Sequence, residues 1–396
     1  MLDYATARAL VLDQHFNWGT ESVPLTAATG RVLRQTVVAD RDQPPFDRVA
    51  MDGIALHHAA YAAGRRRFPV SHLAPAGTAP RALPDPAQCV EVMTGAPLPP
   101  GTDTVIRYED LVREGEAFVV PEGIERGKSI HRRGADGRAG DQIVEDCRRI
   151  GPAAAAVLAT YGKATVTVAR QPRVAIASTG DEVVAVDRAP LDHQIRSSNA
   201  YQLAALFHAI GIIPTLLHLA DDPRSGPATL RSMLDESDIV LLSGGVSKGK
   251  LDHVPDWLAA AGVRQLFHRV AQRPGKPLWV GRTDGTMVFA LPGNPVSSLV
   301  GAVAYLGPWL GRQLGLPDSP AYATLGADVS FAPDLTLFRS VRLTEEPGGR
   351  RAVPVGNSGS GDLVSLLATD GFLVLPANRT TFSAGDRFPF LPLSLP

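Results

Sequence analysis

The chain has 396 residues, of which 44% are hydrophobic, and this is enough for two to four domains with packed cores. The formal net charge of −1 excludes a general electrostatic attraction to nucleic acid or anionic lipid, so any basic function must be local. The two cysteines, Cys89 and Cys147, form neither a Cys-x-x-Cys pair nor a disulfide framework, which favours a reducing compartment and a cytoplasmic protein.

The first part of the chain is predicted to combine two helices with a small β unit. Apolar residues from Tyr4 to Phe16 recur at helical spacing, and no basic segment precedes an apolar run, so we expect a helix and no secretory signal. Short apolar alternations between Phe68 and Val120, separated by proline and glycine, predict an all-β unit. The alanine-rich residues 152–161 predict a second helix.

From Arg173 onward, strand and helix patterns alternate as expected for a doubly wound α/β domain with a parallel sheet. Strands are predicted at residues 174–178, 214–219, 239–242 and 288–291, and helices at residues 199–210, 228–234, 252–261 and 296–306. The uncharged residues 287–311 are interrupted by prolines, including Pro292 and Pro308, and therefore do not predict a membrane span. Residues 317–396 show only short β runs, which predict a C-terminal β barrel or sandwich.

Loops follow three of the predicted parallel strands: STGDE (residues 178–182), SGGVSKGKLD (243–252) and LPGNPVS (291–297). Ligands of open α/β sheets bind outside the carboxyl ends of the strands, so these loops predict the rim of a pocket. The residues suited to a phosphate or similar oxyanion are the flexible Gly244 and Gly245, the polar Ser243, Ser247 and Asn294, and the cations Arg273 and Lys276. Any one loop alone is equally compatible with a strand-to-helix turn that binds nothing.

Carboxylates also accumulate in the predicted loops: Asp52, Asp136, Asp181, Glu182, Asp221, Asp222 and Asp252. Each alone is typical of a helix cap or an Asx turn. Together with a phosphate pocket they indicate Mg²⁺, a hard cation that binds carboxylate and phosphate oxygens. The histidines lack zinc-binding spacing, which argues against a zinc enzyme. Ser243 and Ser247 have no obvious histidine partner nearby in the sequence, and SGGVS is not Gly-x-Ser-x-Gly, which argues against a serine hydrolase.

Eight segments in order along the whole chain resemble the molybdopterin molybdenumtransferases, the MoeA family that includes the C-terminal part of gephyrin. The segments are PPFDRVAMDGIAL, TGAPLPPGTDTVI, RRGADGRAGD, STGDEVV, IRSSNAYQL, SGGVSKGKLDHV, RPGKPLWVG and LPGNPVSSLV. The α/β part alone would also resemble the molybdopterin adenylyltransferases.

The resemblance implies an α/β multidomain protein that forms an elongated homodimer with sites between the subunits. Its expected parts are a linking segment (residues 1–40 and 139–170), an inserted small β domain (41–138), a doubly wound α/β molybdopterin-binding domain (171–316) and a C-terminal β barrel (317–396). The implied activity is insertion of molybdenum from molybdate into adenylyl-molybdopterin, with Mg²⁺ and release of AMP. Contacts with a molybdopterin adenylyltransferase and with apo-molybdoenzymes are expected as well, and none with nucleic acid or membrane.

The resemblance also implies site residues by motif match. The catalytic positions are Asp52, Asp136, Glu182, Asp221 and Asp252, and of these Glu182, Asp221 and Asp252 are also the expected Mg²⁺ ligands. The pterin and molybdate sites add Thr94, Lys276, Pro292, Pro295, Ser297, Arg339 and Ser360 to the loop residues named above.

The chain departs from the family pattern at several of these motifs. Arg269 and Arg273 stand where relatives often have lysine, and Ala135 replaces an acid. Lys248 and Lys250 add charge to the SGGVSKGKLD loop, and His253 replaces a common tyrosine. These changes are compatible with a different oxyanion preference, such as tungstate, or with a weakened paralogue. The alternatives are a molybdopterin adenylyltransferase, which would not need the N-terminal β domain or the barrel, and a non-catalytic cofactor-binding or scaffold paralogue.

Overall fold

The structure is a computed structural model that describes residues 1–246, 253–346, 349–356 and 358–396. The chain divides into two compact units. The small unit comprises Gln35–Asp146 and Pro152–Ala164, and the large unit comprises Met1–Arg34, Cys147–Gly151 and Thr165–Pro396. The division into four domains stays a prediction. None of the helices in the described parts of the chain has the length and apolar character needed to span a bilayer.

The small unit is built on a six-stranded sheet with apolar residues on both faces. In spatial order its strands are Thr104–Arg107, Gly53–Leu56, Cys89–Val92, Arg67–Ala74, Ala117–Val119 and Val112–Glu114. Successive side chains of a strand point to opposite faces, and accordingly Ile54 and Leu56 pack in one core cluster while Ala55 packs in another.

Shorter elements complete the small unit. They are the paired strands Val37–Val38 with Gln142–Val144 and Arg48–Val49 with Ile130–His131, the helices His58–Ala62 and Pro152–Thr160, and the 3-10 turn Tyr108–Asp110. The predicted helix at residues 152–161 is therefore confirmed. Within residues 68–120 the structure has strands and one 3-10 turn, which agrees with the predicted all-β unit, and the helix His58–Ala62 precedes this stretch.

The large unit contains a six-stranded sheet with helices on both faces. In spatial order its strands are Thr215–Leu219, Val174–Thr179, Ile239–Ser243, Met287–Leu291, Trp279–Arg282 and Arg264–His268. The first four are parallel and confirm the doubly wound prediction. The last two were not predicted: Trp279–Arg282 runs antiparallel to Met287–Leu291, and Arg264–His268 runs antiparallel to Trp279–Arg282. Trp279–Arg282 escaped prediction because it is short and contains Gly281 and Arg282, which weaken the apolar pattern.

The other described elements of the large unit lie around this sheet. Its helices are Tyr4–Leu12, Asn199–His208, Ser225–Glu236, Val254–Ala260, Pro295–Gly301 and Gly307–Leu314, with 3-10 turns Leu25–Ala27 and Val364–Ala368. Small paired strands are Thr20–Pro24 with Thr165–Ala169, Val183–Val184 with Ile195–Arg196, and Val329–Ser330 with Thr381–Phe382.

The helix after Met287–Leu291 was predicted to end near Leu306, and this was wrong. Pro295–Gly301 continues through a π-helical segment, Ala302–Leu306, into Gly307–Leu314. Pro308 is accommodated because it lies in the first turn of Gly307–Leu314, where a proline costs little. The run ends at Gly315, whose backbone is left-handed with φ +86°.

Five C-terminal strands close into a barrel, which decides between the predicted barrel and sandwich. Thr336–Glu346 pairs with Gly349–Pro354 on one side and with Gly371–Leu375 on the other. Arg387–Pro392 pairs with Gly371–Leu375 and with Ala321–Leu325, and Ala321–Leu325 returns to Gly349–Pro354. The short strand Gln272–Arg273 joins outside this ring, parallel to Thr336–Glu346.

Asp238 ties the start of the central strand Ile239–Ser243 to the chain just before Val174. Its carboxylate accepts hydrogen bonds from the backbone N–H of Arg173 at 2.8 Å and from the guanidinium groups of Arg173 at 3.1 Å and Arg170 at 3.2 Å. The side chain is only 8% exposed. Burial by itself raises the pKa of Asp238, but the hydrogen bonds from Arg173 and the charges of Arg170 and Arg173 outweigh it and lower the pKa.

We expect Asp238→Asn to lower the free energy of unfolding by about 1–3 kcal/mol at pH 7, because one partner of a buried charged network is lost. A carboxyl with a lowered folded-state pKa stabilises the protein above the unfolded-state pKa of about 4, and this stabilisation is lost as the pH falls through the folded-state value. Urea unfolding at pH 7 and at stepwise lower pH measures it, with the exposed Asp235→Asn as control. A difference between wild type and variant that stays constant into acid would contradict the assignment.

Candidate functional site

The three loops at the carboxyl ends of the parallel strands start side by side, as predicted. Ser178 pairs with Ser243, and Ser243 pairs with Leu291, so the loops leave the sheet at one edge. The N–H of Gly244 donates to the carbonyl of Leu291 at 3.0 Å. Gly244 has φ +106°, and a Cβ there would lie 2.5 Å from Thr179 Oγ1, so the close approach of these loops requires glycine.

Asn199 fastens two of these loops together and was missed as a site residue. Its Nδ2 donates to Ser243 Oγ at 2.8 Å and to the carbonyl of Gly293 at 2.7 Å. The residue is 8% exposed, and within the described residues its Oδ1 has no hydrogen-bond partner. The signal in the sequence is the polar Ser-Ser-Asn motif at the start of a predicted helix. This motif alone does not show which loops the amide of Asn199 contacts.

Two predicted acidic residues, Glu182 and Asp221, come together beside Asp181. The N–H of Asp221 donates to Asp181 Oδ1 at 3.2 Å. Burial raises the pKa of Asp221, and the negative charges of Asp181 and Glu182 raise it further. A hydrogen bond with Asp181 and the nearby His253 lower it, but the net pKa is raised. Asp222 has a different role, because its carboxylate accepts from the N–H and hydroxyl of Ser225 and caps the helix Ser225–Glu236.

Only part of the predicted Mg²⁺ ligand set lies within the described residues. No group of three or more histidine, cysteine or acidic side chains is placed to hold a metal ion in the described parts of the chain. The third predicted ligand, Asp252, lies outside those parts, as do Ser247, Lys248 and Lys250. Mg²⁺ commonly binds one or two protein carboxylates and completes its shell with water and substrate phosphates. Glu182 and Asp221, whose charges repel each other, are the two predicted ligands within the described residues, and binding of Mg²⁺ by them stays a prediction.

The predicted cations lie around the junction of the α/β sheet and the barrel. Arg273 and Lys276 are exposed, and Gln272–Arg273 pairs with Thr336 and Leu337 of the barrel strand that also carries Arg339. Arg339 is half-buried, burial lowers its pKa, and its Nε finds no hydrogen-bond partner among the described residues. A guanidinium in this state is suited to an anionic ligand.

Ser360 reaches the third strand-end loop from the barrel. Its hydroxyl accepts from Asn294 Nδ2 at 2.8 Å, and its carbonyl accepts from the N–H of Val296 at 3.2 Å. Pro292 and Ser297 are buried and Pro295 is half-buried, so these three shape the loop from within. The large unit therefore brings Ser243, Gly244, Gly245, Asn294 and Ser360 into one connected set, while binding by each of them stays a prediction.

The small unit holds the remaining predicted residues around the segment from Arg48 to Gly53. The Asp52 carboxylate accepts the N–H of Thr94 at 2.6 Å, and the hydrogen bonds from Thr94 lower the pKa of Asp52. A Cβ at Gly53 would lie 1.9 Å from the carbonyl oxygen of Ile106, so the turn that presents Asp52 requires glycine. Both Asp52 and Thr94 are exposed to solvent.

His131 contacts Asp136 and was also missed. Its Nε2 lies 2.9 Å from Asp136 Oδ1, and its Nδ1 lies 2.9 Å from Nη2 of Arg48. Arginine can only donate, so Nδ1 accepts and the proton resides on Nε2, which donates to Asp136. Nothing local in the sequence indicates this chain of bonds, because it depends on the pairing of Arg48–Val49 with Ile130–His131.

Comparisons with known proteins cover nearly the whole chain. Residues 2–162 match the family model "MoeA N-terminal region (domain I and II)", residues 175–312 match "Probable molybdopterin binding domain", and residues 322–393 match "MoeA C-terminal region (domain IV)". A molybdopterin molybdenumtransferase of Synechocystis sp. is 38% identical over 98% of this chain and 99% of its own. One from Staphylococcus aureus strain Mu50 is 31% identical over 95% of this chain and 91% of its own.

Solved structures agree with these matches. The molybdopterin biosynthesis moeA protein from Pyrococcus horikoshii OT3 superposes with a TM-score of 0.82 and 28% identity, covering 99% of this chain and 100% of that one. A second structure of a moeA protein from Pyrococcus superposes with a TM-score of 0.80 and 27% identity, covering 100% of this chain and 99% of that one.

Proposed function

The chain belongs to the MoeA family of molybdopterin molybdenumtransferases, and on this premise we propose that it transfers molybdenum from molybdate into adenylyl-molybdopterin with release of AMP. The adenylyltransferase alternative is not supported, since the matches extend over the N-terminal region and the C-terminal region as well as the molybdopterin-binding domain.

The observation that carries the proposal is the convergence of cations, polar loops and carboxylates in the large unit. Molybdate is a dianion and the pterin carries phosphate, so Arg273, Lys276 and Arg339 supply charge for both kinds of oxyanion. Ser243 and Asn294 supply neutral hydrogen bonds, whereas the N–H of Gly244 is already donated to the carbonyl of Leu291. Glu182 and Asp221 would hold Mg²⁺, which supplies electrostatic stabilisation of the pyrophosphate as its P–O bond breaks.

We further propose that the protein acts as a cytoplasmic homodimer whose site is completed by the partner. Asp52, Thr94 and Asp136 support this, because all three are exposed. Hydrogen bonds from the N–H of Thr94 and from His131 hold the carboxylates of Asp52 and Asp136 in place. Exposed groups whose positions are fixed by hydrogen bonds are suited to contact a ligand bound by the partner subunit. Contacts with a molybdopterin adenylyltransferase and with an apo-molybdoenzyme belong to the same proposal.

The test is an AMP-release assay with purified protein, adenylyl-molybdopterin, molybdate and Mg²⁺. We expect AMP, a product that reconstitutes an apo-molybdoenzyme, and loss of both when EDTA is added. Repeating the assay with tungstate measures the oxyanion preference. Tight nucleotide binding by well-folded protein with no AMP released would identify a non-catalytic paralogue and overturn the proposal.

A further inference from the structure

A buried glutamine lies beneath the loop that carries Arg273 and Lys276. Gln272 is 1% exposed, and its Nε2 lies 3.2 Å from the carbonyl oxygens of both Pro274 and Gly275, to which it donates. A Cβ at Gly275 would lie 2.9 Å from this Nε2, so the loop closes tightly over the amide. One buried side chain therefore holds two successive carbonyl groups of the loop.

The glutamine is in turn held by Tyr305. The Tyr305 hydroxyl donates to Gln272 Oε1, and the tyrosine is fully buried in the π-helical segment Ala302–Leu306. Its ring packs edge-on against Tyr4, with centroids 5.6 Å apart, and at a tilt against Phe267. Burial raises the pKa of Tyr305, so its hydroxyl remains a donor throughout the working pH range. Short π segments inside helices frequently mark functional sites.

The direction of the two carbonyls determines the direction of the next two N–H groups. In a trans peptide the C=O and the following N–H point to opposite sides, so the N–H groups of Gly275 and Lys276 point away from Gln272. In the part of the chain that the structure describes, neither N–H donates to a protein acceptor. Consecutive N–H groups beside two cations form a concave anion-binding arrangement.

We propose that Gln272 and Tyr305 are positioning residues that hold the loop 273–276 in its oxyanion-binding form. Gln272 draws the carbonyls inward, and the N–H groups of Gly275 and Lys276, with the side chains of Arg273 and Lys276, are thereby directed at a tetrahedral oxyanion. The ligand is either molybdate or the terminal phosphate of the pterin, which share this chemistry. The inference rests on the proposed function for the identity of the ligand, but not for the geometry of the loop.

The first test compares Tyr305→Phe with Tyr322→Phe, a substitution at a tyrosine of the barrel that is 45% exposed. We expect Tyr305→Phe to raise the KM for one of the two substrates about tenfold with kcat changed less than about threefold, because the loop is displaced while the reacting groups remain. Varying molybdate and adenylyl-molybdopterin separately identifies which oxyanion the loop holds. Tyr322→Phe should leave both KM values unchanged. Both KM values unchanged in a folded Tyr305→Phe protein would overturn the proposal.

A second test does not depend on turnover. Gln272→Met keeps the volume of the side chain but leaves the two carbonyls without their donor. Hydrogen exchange should become faster at the Gly275 and Lys276 amides, and calorimetric affinity for molybdate or inorganic phosphate should fall about tenfold. Wild-type protein that binds these anions but releases no AMP would contradict the proposed function and leave the loop assignment standing. Unchanged exchange and unchanged anion affinity in Gln272→Met would overturn the assignment itself.

Discussion

Asp221→Asn should lower the rate of AMP release by about a hundredfold or more while leaving the protein at least as stable as wild type. The rate falls because the substitution removes one of the two carboxylates that we propose as Mg²⁺ ligands. The stability is retained for a different reason. Asp221 is partly desolvated and lies beside Asp181 and Glu182, and both the desolvation and the two negative charges raise its pKa. A carboxyl with a raised folded-state pKa stabilises the fold only at low pH and opposes folding once it is ionised at neutral pH.

The neighbouring carboxylate provides the matched control. Asp222→Ala removes the cap of the helix Ser225–Glu236 and should lower the melting temperature with AMP release unchanged. Asp221→Asn should therefore lose AMP release but keep its melting temperature, whereas Asp222→Ala should keep AMP release but melt at a lower temperature. Thermal unfolding with EDTA present and single-turnover AMP release measure the two quantities. Full activity in Asp221→Asn would show that this carboxylate is not required, and a marked drop in its melting temperature would show a structural role instead.

Trp309→Ala should lower the free energy of unfolding by about 3–5 kcal/mol. This is the largest loss of stability that we expect for a single substitution. Trp309 is fully buried in the helix Gly307–Leu314, and its Nε1 donates to the carbonyl of Gln14 at 2.9 Å. Its ring meets Phe16, Trp18 and Phe289, each with centroids 5.8 Å apart. The alanine variant leaves a cavity where the N-terminal segment packs on this helix, and the carbonyl of Gln14 keeps only the hydrogen bond from Gln313 Nε2 at 2.7 Å.

Denaturant unfolding of Trp309→Ala and Trp257→Ala measures this difference. Trp257 is a tryptophan of the same unit whose indole is only half-buried and stacks on His253. Trp257→Ala should lower the free energy of unfolding by only about 1–2 kcal/mol, because the substitution removes less buried apolar surface. Equal losses for the two variants would contradict the central role given to Trp309.

The barrel and the α/β sheet differ in how well the sequence predicted them. The four parallel strands were predicted because each is a short apolar run bounded by glycine or polar residues, and this pattern is local. The closure of the barrel was left open because it depends on the pairing of Ala321–Leu325 with Arg387–Pro392, strands that are far apart in the chain. The antiparallel Trp279–Arg282 was missed for a related reason, since its strand identity comes from its neighbours in the sheet more than from its composition.

The sequence by itself determined the family, the parallel strands and the loops with glycines, cations and carboxylates, because these are patterns of a few adjacent residues. Only the tertiary structure decided that Asn199 joins the loops at Ser243 and Gly293, that His131 donates to Asp136, and that Gln272 and Tyr305 underlie the loop of Arg273 and Lys276. The physical reason is that hydrogen bonds between side chains require atoms within about 3 Å, and the folded path of the backbone, which no local pattern encodes, sets these distances.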